Sequence, residues 1–311
     1  METTPKHFKL TRIFYSPSEP RLRAGWRLLV HFFIMLIIMI IAGFCLVLIS
    51  FRDFSQNWFL LFAELIAFIG ITVSVYLARR VLDHRPFSSL GLTFSREAFF
   101  DLLFGISLAG LVMGLVYMVE GSFGWLTFQG FSWEFIPLSS VISSIFMMLI
   151  LFILVGWTEE LLCRGYLLQN LADGLSLTWG VCISSGIFAV LHLANPNISW
   201  NAVVGLVAAG FFLAFGYVRT RQLWLSIGLH IGWNFFEGSI FGFPVSGLND
   251  PVLLIRQTVQ GPKLLTGGAF GPEAGIIILP VLCLGAMAMY FYTQKRYSKI
   301  PNQKTLKVEP D

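Results

Sequence analysis

Three short polar patterns interrupt long apolar stretches, and their residue types are those that hydrolyse amides. Glu159 and Glu160 sit side by side within LILFILVGWTEELLCRGYLLQ. Phe188 and His192 lie in the next apolar run, and His230 and Asn234 in a later one. An acidic residue at the centre of a bilayer costs about 2.5–3.5 kcal/mol on insertion scales, and two adjacent ones repel each other as well. Such a pair persists only where partners neutralise it or where it performs a task. A carboxylate stripped of water is a stronger base. With an imidazole beside it, such a base can draw a proton from water, while an amide or imidazole N–H faces the oxygen that becomes negative.

Residues this far apart must be brought together by the elements that carry them. The chain has 311 residues, 56% apolar and only 12% charged, with 31 Phe. Soluble domains carry about 25% charged residues, so the composition is that of an all-α, polytopic membrane helix bundle. The net charge of +4 is no nucleic-acid signature. Eight apolar segments are expected, near residues 28–50, 58–77, 99–119, 138–168, 177–193, 202–218, 223–241 and 274–292. In lipid every backbone amide must be bonded internally, which forces helices on segments that are apolar all round. A β-barrel would instead show strands of about ten residues with alternating polarity.

Basic residues set the orientation. With the N-terminus in the cytoplasm, all of the 21 Lys and Arg except Arg52, Arg256 and Lys263 fall on the inner side. This asymmetry predicts eight spans with both termini cytoplasmic. The first apolar run is too long for a signal-peptide core and no A-x-A site follows, so it is read as a retained span. Cys45, Cys163, Cys182 and Cys283 all lie in apolar runs at no metal-like spacing, as inert buried thiols do.

The expected organisation is a cytoplasmic tail (1–27), three helices (28–137), a four-helix core with the polar motifs (138–241), an outer loop (242–273), a last helix (274–292) and a cytoplasmic tail (293–311). The outer loop is Gly/Pro-rich, and that density permits tight folding over a pocket mouth.

Helical rise then tests whether the motifs can meet. Glu159 precedes the turn at Gly174 by 15 residues, about 22 Å of helix, and His192 follows it by 18, about 27 Å. In an antiparallel hairpin the two reach similar depth. His230 and Asn234 lie about 13–20 Å in from the same face. Glu160 and Arg164 are i and i+4 and share a face, so Arg164 is placed to neutralise Glu160 and leave Glu159 free to point elsewhere. His230, Asn234 and Glu237 also share a face, and Phe188 is one turn before His192, where its ring can pack on the imidazole.

The patterns EExxxR (Glu159, Glu160, Arg164), FxxxH (Phe188, His192) and HxxxN (His230, Asn234) resemble the motifs of the CAAX-protease and bacteriocin-processing (CPBP, or Abi) family of intramembrane endopeptidases. The resemblance covers about residues 138–241. It implies that Glu159 and His192 activate water, that His230 and Asn234 stabilise the oxyanion, and that Glu160 and Arg164 hold the glutamate helix. The implied partners are membrane lipids and a peptide or membrane-protein substrate; the composition itself suggests a multi-pass protein of a bacterial plasma membrane. Glu159, His192 and His230 are also a zinc-type donor set. Without an HExxH pattern, the expectation is a metal-independent glutamate mechanism with no cofactor.

Blander readings stand beside these. Glu160–Arg164 is a structural ion pair. Glu64, mid-span and without a motif, is a hydrogen-bonded structural carboxyl, and Glu237 either supports the site or reaches the outer interface. The alternative function is a non-catalytic binding or bacteriocin-immunity protein of the same fold. A secondary transporter would show repeated halves or paired broken helices, which the sequence lacks.

Overall fold

In the computed structural model all eight apolar segments are helical. The structure describes residues 11–16, 19–50, 56–249 and 252–297. The ends of both expected cytoplasmic tails, with Lys6, Lys9, Lys299, Lys304 and Lys307, and the outer Arg52, lie outside the described residues, as does the side chain of Cys45. Cys163, Cys182 and Cys283 are free thiols.

The long helices are α1 (Ala24–Ser50), α2 (Gln56–Val81), α3 (Arg96–Ser122), α4 (Leu138–Gly174), α5 (Leu177–Leu191), α6 (Trp200–Thr220), α7 (Trp224–Ile240) and α8 (Ile278–Tyr297). Serines start three of them where the pattern turns apolar. Ser95, Ser176 and Ser199 accept from the backbone N–H of Ala98, Trp179 and Ala202, each satisfying one of the amides a helix start leaves open. Among the described residues, five helices are long and apolar enough to cross a membrane: Ala24–Phe44, Trp58–Val81, Arg96–Ser122, Leu138–Gly174 and Trp200–Thr220. The chain is an integral membrane protein built as an all-α bundle.

Two helices depart from α-geometry beside the polar motifs. In α4 a π-helical stretch, Leu161–Leu167, begins directly after the glutamate pair. In α7 another, Phe235–Ile240, begins directly after Asn234. Such stretches recur at functional sites, because the wider turn re-aims the side chains that follow.

Glycines bring the motif helices close. A Cβ on Gly228 of α7 would lie 2.2 Å from the Leu102 carbonyl oxygen of α3, and one on Gly105 of α3 would lie 2.6 Å from the Leu229 nitrogen. Backbones approach so closely only where small residues face each other. The helices before the motifs thus have a definite task, since α3 fixes the position of the helix that carries His230 and Asn234. The main apolar core joins α3, α5, α6, α7 and α8 through residues such as Met113, Phe188, Phe212, Leu229 and Met289.

The outer segments are more ordered than the sequence suggests. Leu126–Phe131 (β1) and Ile255–Val259 (β2) pair as an antiparallel sheet, from Leu126 opposite Val259 to Phe131 opposite Ile255. The register slips between Phe128 and Gly130, where Gly130 takes φ 127°. β1 lies in an aromatic-rich stretch after Glu120 that composition alone marks as interfacial. Its alternation LTFQGF is short enough to escape notice until a partner strand, 124 residues on at its nearest pairing, supplies the ladder.

At the opposite end, basic residues expected inside gather on two aspartates. Arg27 and Arg79 hold Asp83 at 2.8 and 2.7 Å, and Arg21 reaches Asp173 at 3.2 Å. This ties the start of α1 to the ends of α2 and α4. Asp101 near the start of α3 is held by Tyr292 and Arg296 of α8.

Candidate active site

Three of the four residues put forward as catalytic come together from α4, the end of α5 and α7, and the fourth, Asn234, shares a cavity with His230. Glu159 Oε2 lies 3.8 Å from His192 Nε2 and also 3.8 Å from His230 Nε2. Both gaps exceed a direct hydrogen bond, so that two imidazole nitrogens face one carboxylate oxygen without bonding it. Glu159 keeps 27% of its side chain exposed, whereas Glu160 beside it has none.

The other nitrogen of each imidazole is fixed. His192 Nδ1 donates to the Phe188 carbonyl at 2.8 Å, and His230 Nδ1 donates to Glu160 Oε1 at 3.0 Å. A carbonyl and a carboxylate can only accept, so each Nδ1 carries a proton and each Nε2 is the atom left to act. Glu160 Oε1 also receives Arg164 Nη1 at 2.6 Å, and Arg164 Nη2 donates to the Gly210 carbonyl of α6 at 2.9 Å. The Arg164 guanidinium stacks 4.6 Å above the centroid of the Phe188 ring. That ring lies 4.8 Å from the His192 ring and 5.9 Å from the His230 ring. Phe188 is therefore a shared wall for both imidazoles and the guanidinium.

The local conformations follow. The helix expected through residue 193 stops at Leu191, and His192 is its C-cap at φ −94°, ψ 0°. This sparsely populated region is frequent at active sites. Asn234 and His230 line a cavity of about 20 Å³ with Phe188, Ala209, Phe212, Leu213, Trp233 and Glu273, room for about one water. Glu237 is buried but does not line it, because the π-helical stretch begins at Phe235 and breaks the i, i+7 alignment with His230. Its carboxylate sits instead beneath Gly271 of the outer loop. Glu64, on α2, is half-buried and close enough to Glu159 and His230 to interact with both electrostatically. Among the described residues no group of three or more His, Cys, Asp or Glu is spaced to hold a metal ion.

Two features escaped sequence reasoning. Glu160 holds His230 as well as Arg164, a contact across 70 positions. The outer loop inserts Glu273, whose Oε1 accepts from Trp233 Nε1 at 3.1 Å and whose Oε2 accepts from Ser246 Oγ at 2.5 Å. The available signal was a lone acidic residue inside GGAFGPEAG.

Residues 141–236 match the family model Rce1-like, described as type II CAAX prenyl endopeptidase Rce1-like. The match bears out the resemblance carried by the three motifs. It contains Glu159, His192, His230 and Asn234, and it excludes Glu237 and Glu273. Two proteins of Bacillus subtilis (strain 168) are similar. "Uncharacterized protein YyaK" is 29% identical over 169 residues, which is 52% of this chain and 54% of that protein. "Putative membrane peptidase YdiL" is 26% identical over 215 residues, 67% of this chain and 80% of that protein. No solved structure matches the chain at comparable stringency.

Proposed function

We propose that this protein is an intramembrane endopeptidase that uses water activated by Glu159. The observation that carries the reading is that two imidazoles, each anchored through Nδ1, present Nε2 at 3.8 Å from one carboxylate oxygen.

Water held between Glu159 and His192 loses a proton to Glu159 as its oxygen attacks the peptide carbonyl. The carbonyl oxygen becomes an anion and needs donors. In this reading Asn234 gives one from its side-chain amide and His230 another from Nε2 when protonated, each worth a few kcal/mol in a dry site. The proton taken by Glu159 then passes to the leaving amine as the C–N bond breaks. Glu160 and Arg164 do not touch the water in this scheme. They fix His230 and the α4–α6 contact, so that the imidazole meets the substrate already oriented.

We read the mechanism as metal-independent. The family description points to C-terminal CAAX peptides as the first substrates to try. The experiment is cleavage of farnesylated and unmodified CAAX peptides and of a mixed peptide library by purified protein in liposomes, with the metal content of the active fraction measured. Cleavage lost in Glu159→Gln and His192→Ala supports the proposal. Cleavage retained in both overturns it, and stoichiometric zinc in the active fraction overturns its metal-free part.

A further inference from the structure

Glu273 belongs to none of the three motifs and lies outside the matched segment, yet it is 6% exposed and lines the same cavity as His230 and Asn234. Both carboxyl oxygens are engaged, one by the indole N–H of Trp233 and one by Ser246. Trp233 directly precedes Asn234 on α7. Ser246 sits at φ +46°, a left-handed conformation that L-residues rarely adopt and that persists only where the surroundings impose it. Those surroundings include the His192 turn, since Asn195 Nδ2 donates to the Ser246 carbonyl at 2.9 Å. The loop is seated further by the Gly247 amide on the Phe270 carbonyl, the Phe243 amide on the Glu237 carbonyl and the backbone of Glu273 against Gly205 of α6. Glu273 is thus the point at which the outer loop joins the Asn234 helix to the turn after His192.

We propose that Glu273 is a positioning residue of the endopeptidase site, which acts by bonding Trp233 and Ser246 and so fixes the His230–Asn234 wall against the His192 turn. It rests on the reading of the site as a peptidase. It assigns the outer loop a role in the chemistry beyond closing the pocket mouth.

Glutamine can make the same two contacts, its carbonyl accepting from Trp233 and its amide donating to Ser246, whereas alanine makes neither. The test is steady-state cleavage of the best peptide found for the wild type. In Glu273→Ala, kcat is expected to fall about tenfold or more with KM changed less than about threefold, as for a group that aligns the transition state. Glu273→Gln is expected to restore kcat to within about threefold. Trp233→Phe, which keeps the ring and removes the N–H, is expected to lower kcat, and the double variant Trp233→Phe with Glu273→Ala to be no worse than Glu273→Ala alone.

Wild-type kcat in Glu273→Ala overturns the inference. So does Glu273→Gln as inactive as Glu273→Ala, which would mean that the carboxyl acts through its own proton. Should Glu273→Ala fail to fold, unchanged kcat in Trp233→Phe overturns it instead. Glu159→Gln is run alongside. If that variant keeps activity, the peptidase reading itself is wrong; if it is dead while Glu273→Ala is normal, only the positioning role is lost.

Discussion

Two buried ionic clusters sit at different depths of this bundle, and they are paired differently. At the end of the bundle that holds the start of α1 and the end of α2, Asp83 is fully buried and each of its oxygens has its own guanidinium, Arg27 on Oδ1 and Arg79 on Oδ2. Within the motif helices, Glu160 concentrates Arg164 and His230 on Oε1 and leaves its buried Oε2 without a hydrogen-bond partner, while neighbouring Glu159 leaves its own Oε2 unbonded, 3.8 Å from two imidazoles. Removing charge from water is costly, and complete pairing offsets that cost. The first cluster meets this condition at Asp83, with Arg27 Nε and Arg21 Nη1 left unbonded, and reads as a fastener for α1, α2 and α4. The motif cluster meets it at one oxygen of Glu160, which has its cation, and leaves it unmet one residue away, where two imidazoles face Glu159 Oε2 at 3.8 Å. A carboxylate that faces two imidazoles, beside one tied to a guanidinium, separates a site from a brace.

The contrast can be broken or sharpened by substitution. The largest effect is expected for Glu159→Gln, with a loss of about a thousandfold or more in kcat/KM, roughly 4 kcal/mol of transition-state stabilisation, and little change in thermal unfolding in detergent. A comparable loss of unfolding temperature alongside the activity would make Glu159 another brace. Next come the paired clusters. Arg164→Met leaves Glu160 buried without its cation and Asp83→Asn leaves two buried guanidiniums, and each should cost about 3 kcal/mol or more of stability. Activity per folded molecule should fall in Arg164→Met, because His230 loses its orientation, and should persist in Asp83→Asn. Equal activities of the two folded variants would erase the distinction drawn here.

A smaller effect is expected for Gly228→Ala, whose new Cβ would meet the Leu102 carbonyl. Overpacking of this kind costs about 1–3 kcal/mol, and the displaced α7 should lower kcat before the protein unfolds. The smallest is a pH slope. Burial pushes the Glu273 carboxyl above its usual range, against the opposing influence of Ser246, Trp233 and the nearby His192 and His230 imidazoles. A carboxyl whose folded-state pKa is raised favours folding while protonated. That contribution is complete below the unfolded-state value, and it is lost as pH rises through the raised one. Unfolding midpoints should therefore fall more gently with rising pH in Glu273→Gln than in the wild type. An unchanged slope would show that Glu273 does not ionise over that range.

Much of the motif geometry was legible because it is local or follows from helical rise. Glu160 and Arg164 meet since i and i+4 share a face, and the depth match of Glu159 with His192 follows from counting residues to the turn at Gly174. The end of α5 was misjudged by two residues, since apolarity continues through Leu193 while the backbone caps at His192. The π-helical stretches left no trace in hydrophobic pattern, and they alone displaced Glu237 from the face assigned to it. The sheet between β1 and β2 and the seat of Glu273 were invisible for a different reason, since each depends on a partner more than 25 residues away in the chain.

The sequence by itself determined the class of solvent, the helices that follow from it, and the three motifs with the pairing of Glu160 to Arg164, because hydrocarbon admits few backbone structures and neighbouring turns have fixed angles. Tertiary structure decided which nitrogen of each histidine is free, that Glu159 rather than Glu160 faces both, and that a loop residue completes the wall. Those outcomes depend on how close helices from distant parts of the chain can pack, and that distance is set by glycine contacts such as Gly228 against Leu102, which no single segment specifies.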